Sequence, residues 1–300
     1  MKKIIVIGSS NTDMVVRSEH LPRPGETVLG GGFMMAGGGK GANQAVAVAK
    51  MGHPVIFAAA VGKDIFGEEA VARYKQYGID TSYIAHKECP SGVALILVDA
   101  SAQNSISVAL GANNELMLDD VMPALDVIDE GDIVLLQLEI PMATVEACIG
   151  VAAAKGARVI LNPAPAAKVS ESALSKLYLI TPNQTEAEIL TGVEVKNETT
   201  ARLAAEELCR LGVKKGVITL GSEGALLYED GKSEDIPANK VDAVDTTAAG
   251  DVYNGALCAA LAEGMSLREA LRFATKASAI SVTRVGAQPS IPSREEVDNF

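Results

Sequence analysis

Val241–Gly264 reads VDAVDTTAAGDVYNGALCAALAEG, with two carboxylates, Asp245 and Asp251, bracketing five small residues ahead of a helical pattern. Tyr253, Ala256, Leu257, Ala260 and Leu261 recur at the spacing of one helix face. Small residues in the first turn leave backbone N–H groups unobstructed, and the helix dipole adds partial positive charge there. Such a cradle suits the negative charge that develops on a transferring phosphoryl group. Asp251 would point into the same space and accept the proton of an attacking hydroxyl. Taken alone, the segment has a simpler reading, in which Asp251 is an ordinary helix N-cap.

A second segment, MAGGGKGANQAVAVAKMG (35–52), sets Gly37, Gly38, Gly39 and Gly41 before a helix starting near Ala42. It is not a Walker A loop, because Gly41 follows the lysine where Ser or Thr is required, and the dinucleotide pattern also fails. The glycines would let a ligand reach the backbone, with Lys40 and Asn43 as donors to a hydroxyl-rich molecule. A flexible hairpin running into a helix explains the segment equally well. In TPNQTEAE (181–188), Asn183 and Glu186 lie three apart and would orient a hydrated Mg²⁺, while Thr185 with Glu188 offers a capping alternative. TLGSEGALLY (219–228) turns at Gly221 and Gly224, either against a base or phosphate or as a plain hairpin. SLRE (266–269) is a capping box that opens the last long helix. The 3 histidines are scattered, which leaves a Ser-His-Asp triad or a histidine metal site without parts.

These segments need elements to hold them. KKIIVIG, PVIFAAAVG, DIVLLQLE, ARVILNP, LYLITPN and KGVITLG read as buried strands. GANQAVAVAKMG, EEAVARYKQYG, MATVEACIGVAAAKG and ETTARLAAEELCRLG read as helices between them. Continuous apolar strands separated by helices predict an α/β fold with a mostly parallel central sheet covered on both faces. Residues 13–36 and 88–110 break the rhythm and are expected to form a small β-sheet lid, with SGVALILVD and NSISVAL as antiparallel strands. No linker or repeat divides the chain, so residues 1–300 are expected to form a single domain. The strands deliver Asn11 and Asp13, Glu139, Asn162, Asn183 with Glu186, and Gly221 at their carboxyl ends, the edge where parallel sheets bind ligands.

The net charge of −12, with no run of Lys and Arg, argues against a nucleic-acid or membrane-surface partner. It does not oppose a phosphate substrate held by backbone N–H groups. IIVIG is too short for a signal-peptide core, and no window of about 18 apolar residues spans a membrane. The 4 cysteines are far apart in sequence and fit free thiols in a reducing cytoplasm.

Together, DTTAAGD, GGKGANQA and TPNQTEAE, with SSNTD, LPRPGET, QLEIP, NPAPA, TLGSEG and TRVGAQPS in order around them, resemble the ribokinase family of sugar kinases over nearly the whole chain. The resemblance implies transfer of the γ-phosphate of ATP to the 5-hydroxyl of D-ribose. It implies Asp251 as base, with Ala249 and Gly250 as the anion hole. Asn11, Asp13, Gly39, Lys40, Gly41, Ala42, Asn43 and Glu139, with Asp251, match sugar-binding positions. Asn183 and Glu186 match the motif for Mg²⁺ and the phosphates, Thr219, Leu220, Gly221, Ser222, Glu223 and Gly224 the nucleotide turn, and Thr275 the adenine contact. Asp245, Thr247, Ser281, Arg284, Gly286 and Ser290 match the loops of a monovalent-cation site, usually K⁺. The lid segments match a β lid that closes over the sugar and often pairs with that of a second subunit, which implies a homodimer. Two positions depart: Ala248 stands where many relatives have Gly, and Thr275 where a larger Asn or His is expected, which bears on base preference.

Alternatives within the class are deoxyribose, another pentose or a nucleoside as acceptor. A sugar-binding protein on an inactive kinase fold is opposed by the joint presence of Asp251, Asn183 and Glu186. A dehydrogenase is opposed by the missing dinucleotide fingerprint after the first strand.

Overall fold

The computed structural model describes residues 1–101 and 103–300; Ala102, inside the second expected lid segment, lies outside the described residues. In chain order the elements are Ile4–Ile7 (β1), Asn11–Arg17 (β2), Phe33–Gly38 (β3), Lys40–Lys50 (α1), Val55–Gly62 (β4), Ile65–Gln76 (α2), Ile84–Lys87 (β5), Gly92–Val98 (β6) and Asn104–Ala109 (β7). Leu118–Asp126 (α3), Ile133–Leu136 (β8), Met142–Ala154 (α4), Arg158–Leu161 (β9), Glu171–Leu174 (α5), Leu179–Ile180 (β10), Gln184–Thr191 (α6) and Glu198–Arg210 (α7) follow. Lys215–Thr219 (β11), Ala225–Glu229 (β12), Lys232–Ile236 (β13), Ala249–Ala262 (α8), Leu267–Ser281 (α9) and Arg294–Asp298 (α10) complete the chain.

β1 shows why the sheet must be covered twice. Ile4 and Val6 join a core with α1, α8 and α9, while Ile5 and Ile7 join a separate core with α3 and α4. Successive strand side chains point to opposite faces, so a strand apolar at every position must be buried from both sides. The main sheet has nine strands in the order β13-β12-β11-β10-β9-β8-β1-β4-β5. It is parallel from β5 to β11, with β12 and β13 antiparallel at one end.

The four-stranded second sheet runs β3-β2-β6-β7. Its outer pairs are antiparallel, as expected for β6 with β7, but β2 and β6 are parallel. The reason is the route of the chain. β2 follows β1 through a short connection, β6 follows β5, and both leave the same edge of the main sheet, with Asn11 opposite Gly92. Every residue of β7 is exposed, and Phe33, Met34, Met35, Leu95, Ile106 and Val108 are exposed apolar residues of this sheet.

The periodicity of α8 points to one buried face, yet every residue from Asp251 to Ala262 is buried. The helix lies between α1 and α9, and its small residues let both come close. A Cβ on Gly255 would lie 2.4 Å from Ala47 Cβ. A stripe pattern therefore describes only part of a helix buried all round.

Candidate active site

The chain enters α8 through Ala248, in the left-handed region at φ 60° and ψ 10°, with no side-chain cap. Ala249 N–H donates to the Thr246 carbonyl at 3.2 Å, and Val252 N–H to the Ala248 carbonyl at 2.9 Å. No hydrogen bond among the described residues uses the N–H of Gly250 or Asp251. The open amides are therefore these two, while that of Ala249 is engaged. A Cβ on Gly250 would meet nothing within 4 Å, so its backbone faces open space.

Asp251 is the third residue of the helix and does not cap it, which removes the capping alternative. Its Oδ1 accepts from Gln44 Nε2 at 2.9 Å and its Oδ2 from Asn43 Nδ2 at 3.0 Å. Burial pushes its carboxyl above the usual range and Glu139 adds to that, against the opposing pull of Lys40 and of the two amide donors. Lys40 is itself drawn down by burial, but Asp251, Glu139 and Glu186 outweigh this and raise its ammonium. The Lys40 N–H and Ser9 Oγ both donate to Glu139 Oε2, at 2.9 Å and 2.5 Å.

On the lid side, Asp13 is pushed up to about 6, first by burial and then by Glu139 and Asp251. No hydrogen bond from a described residue reaches its carboxylate, which lies against Gly38. Asn11 Oδ1 accepts from Asn113 Nδ2 at 2.7 Å, which fixes that side-chain amide, and Asn43 Oδ1 is buried without a partner.

The glycines near Lys40, expected to let a ligand reach the backbone, have a packing role as well. At Gly39 (φ 87°) a Cβ would lie 2.8 Å from the Asn11 nitrogen, and at Gly41 2.6 Å from the Gly8 carbonyl carbon. Close crossing of β1 and α1 demands them. Ala42, the next residue, is buried in the core at the start of α1.

Asn183 and Glu186 form the capping box of α6 themselves, so the suggested Thr185–Glu188 pair is not the cap. Glu186 Oε2 accepts from Asn183 N and Oε1 from Asn183 Nδ2, each at 2.9 Å. Burial raises the Glu186 carboxyl, Asp251 adds to this, and the Asn183 N–H and Lys40 oppose it. No group of three or more acidic, histidine or cysteine ligands occurs among the described residues. The donor set thus fits a largely hydrated Mg²⁺ and not a caged ion.

A cleft of about 200 Å³ brings Lys40, Asn183, Glu186, Thr219, Ala249, Gly250 and Asp251 together. Asn162, Ala164, Thr181, Thr246, Ala248 and Asn254 complete its walls. Leu220, Gly221, Ser222, Glu223 and Gly224 form a tight turn beyond Thr219, closed by Leu220 N–H to the Gly224 carbonyl at 2.8 Å. Thr275 is not in this cleft; it is buried in α9, with its hydroxyl donating to the Leu271 carbonyl at 2.9 Å. A second hollow of about 250 Å³, which Thr12 lines instead of Asp13, lies between β3, α2 and Gln288.

The loops matched to a cation site are tied together by Asp245. Its Oδ1 accepts from Thr247 N and Oγ1, and its Oδ2 from Gly286 N. The hydroxyls of Ser281 and Ser290 donate to nearby carbonyls, of Ser278 and Ala287, and Arg284 pairs with Glu296. No backbone hydrogen bond among the described residues ends on the carbonyls of Asp245, Thr247, Arg284 or Gly286. Those free oxygens fit a weakly hydrated cation.

Asn113 and the buried amides Gln44, Gln137 and Asn254 were missing from the sequence reading of the site. Gln44 and Asn254 were visible only as amides inside otherwise small, apolar helices.

Residues 1–294 match the pfkB family carbohydrate kinases. A ribokinase of Haemophilus influenzae is 45% identical over 100% of this chain and 98% of its own length. A deoxyribokinase of Salmonella typhi is 37% identical, covering 99% of this chain and 98% of its own. Among solved structures, the Thermotoga maritima ribokinase superposes with a TM-score of 0.92 at 41% identity, covering 100% of this chain and 99% of that one. The Arabidopsis thaliana ribokinase, solved with ribose and ATP, gives 0.90 at 32% identity, covering 99% and 98%. The buried carboxylate at an open helix start, on this fold, defines a phosphoryl-transfer enzyme acting on a hydroxyl. The chain belongs to the pfkB family of carbohydrate kinases.

Proposed function

We propose that the protein transfers the γ-phosphate of ATP to the 5-hydroxyl of D-ribose, breaking the bond from the γ-phosphorus to the bridging oxygen and giving D-ribose 5-phosphate and ADP. The observation that carries this reading is Asp251, buried in the cleft with both oxygens held, beside the open N–H groups of Gly250 and Asp251. Relatives named ribokinase, spanning the full length, support ribose as the acceptor.

ATP lies in the cleft between Thr219 and α8, with its terminal phosphate at the helix start. The sugar lies between Asp251 and the lid, where Asp13, Asn11 and the free Asn43 Oδ1 receive or give hydrogen bonds to its hydroxyls. Asp251 accepts the proton as the oxygen–phosphorus bond forms, because an alcohol is far too weak an acid to ionise first. The amides at the start of α8 and Lys40 offset charge on the transferring group. Asn183 and Glu186 would hold Mg²⁺ through water, and the ion would neutralise the phosphates. The free carbonyls around Asp245 and Gly286 would hold K⁺, whose bond to that loop would fix the start of α8. Closing the lid excludes water, which would otherwise accept the phosphate.

The whole chain acts as one domain with the second sheet as its lid. The exposed apolar residues of that sheet support a homodimer formed lid to lid. Four free cysteines support a reducing cytoplasm, and no helix among the described residues is long and apolar enough to cross a membrane. The second reading is deoxyribose as acceptor, favoured by the deoxyribokinase relative. ATP consumption measured with ribose and with deoxyribose, with and without K⁺, decides between them. Ribose is expected to give the higher kcat/KM and K⁺ to raise it; a preference for deoxyribose would overturn the assignment.

A further inference from the structure

None of the steps above uses the buried amides beneath Asp251. Gln44 is fully buried in α1, a helix otherwise built from small and apolar residues on that side. A buried amide is costly unless its donors and acceptor are paired. Here they are. Gln44 Nε2 donates to Asp251 Oδ1 at 2.9 Å and to Asn162 Oδ1 at 3.0 Å. Gln44 Oε1 accepts from Gln137 Nε2 at 2.5 Å, and Gln137 is also fully buried.

The arrangement has a direction. An amide can turn end for end with little change of shape, and only its partners decide which end carries the donors. With the Gln137 donor facing Gln44 Oε1, the NH₂ group of Gln44 is left to face the carboxylate. The two oxygens of Asp251 are then pinned from neighbouring residues of one helix, Oδ2 by Asn43 and Oδ1 by Gln44.

We propose that Gln44 is a positioning residue for phosphoryl transfer: oriented by Gln137, it fixes the plane of the Asp251 carboxylate toward the acceptor hydroxyl. This rests on the reading of Asp251 as the base. Gln44 does not line the cleft; it meets it through two wall residues, Asp251 and Asn162, and of these only Asp251 carries the proposed role. Its N–H bond to Oδ1 also favours the ionised form of a carboxylate that burial disfavours. The other charged groups that act on Asp251 are Lys40 at the start of α1, Glu139 after β8, Asp13 of β2 and Glu186 of α6. None of these changes when Gln44 is replaced.

The test uses Gln44→Met, which keeps length and volume and removes both donors. Turnover should fall about 100-fold, the cost of misplacing a reacting group by about 1 Å. Ribose affinity, measured by calorimetry without nucleotide, should stay within about threefold, because the lid contacts are intact. The acid limb of the kcat–pH profile should move to higher pH, since the carboxylate loses one of the two donors that help hold it ionised. Gln137→Met, which leaves Gln44 held only by its bonds to Asp251 and Asn162 and takes away the donor to its Oε1, should show the same pattern at roughly tenfold.

Turnover near the parent level with an unmoved acid limb in a folded Gln44→Met protein would overturn the proposal. So would lowered thermal stability with no change in the kinetic profile. If Gln44→Met does not fold, Gln137→Met carries the same test, and a parent-like profile there overturns it. Asp251→Asn is measured alongside: near-normal turnover in that variant would remove the base itself, whereas an inactive Asp251→Asn with parent-like glutamine variants would remove only the role of Gln44.

Discussion

The floor of the site and its lid hold their carboxylates in opposite ways. Asp251 sits in a helix buried from Asp251 to Ala262, with an amide on each oxygen. Asp13 stands on a sheet that is partly bare to solvent, with no described donor at its oxygens. On the proposed reading, the contrast separates two tasks. A group that takes part in bond making gains from being fixed beforehand, because its geometry costs nothing at the moment of reaction. A group that recognises hydroxyls gains from being left unpaired, because the substrate then supplies the missing bonds.

Breaking the floor should give the largest effect. Asp251→Asn is expected to lower kcat by about 10²–10⁴-fold, the usual contribution of a general base. Ribose binding, followed by calorimetry, should survive. Loss of binding with intact turnover would reverse the assignment of floor and lid.

The lid gives a smaller effect of the other kind. Asp13→Asn should raise the KM for ribose about 10–100-fold, since a hydrogen bond to a charged group is worth roughly 1.5–3 kcal/mol. kcat should fall less. An unchanged KM would take Asp13 out of sugar recognition.

The same substitution has a pH signature. The carboxyl of Asp13 is raised to about 6 in the fold from an ordinary value of 3.8. A raised carboxyl binds its proton more tightly when folded, so its ionisation costs stability as pH rises between those values. Asp13→Asn should therefore unfold at higher denaturant than the parent at pH 7–8, by roughly 1–3 kcal/mol. The gain should shrink as pH falls toward 4. A gain that grows on acidification would show that Asp13 is not destabilised by burial. For the parent enzyme, affinity for ribose should weaken as pH drops through about 6.

The smallest effect concerns the entry to α8. Ala248 holds φ 60°, where an alanine is strained by about 1–2 kcal/mol and glycine is not. Ala248→Gly should raise stability by up to about 1 kcal/mol in urea unfolding, the strain relief being partly offset by the greater freedom of the unfolded chain. A loss of stability would mean that the methyl group contributes packing that outweighs the strain.

Much of the floor could be read in the sequence, because burial leaves a simple trace. β1, β4, β8, β9 and β11 fall within the apolar runs, and the box at Ser266–Glu269 opens α9 as its spacing implied. The start of α8, the lysine of α1 and the pair Asn183–Glu186 do meet in one cleft. What stayed hidden depends on contacts between distant segments. The packing role of the glycines at 39 and 41 could not be read, because only the fold brings Gly8 and Asn11 against them. The cap of α6 went to Asn183 instead of Thr185 because strand β10 ends just before it. Gln44 and Gln137 are 93 residues apart, and nothing local marks them as partners. The parallel pairing of β2 with β6 likewise comes from where each strand leaves the main sheet.

The crossing of Gly8 with Gly41 also limits how the enzyme can change. A single methyl on either would lie within 2.0–2.6 Å of Gln137 or of the Gly8–Ser9 peptide. If the sugar lies where we propose, the depth of the chamber beneath it is set by bare backbone meeting bare backbone. On that reading, divergence toward a larger or smaller sugar falls to the second sheet, whose outer strand is exposed throughout.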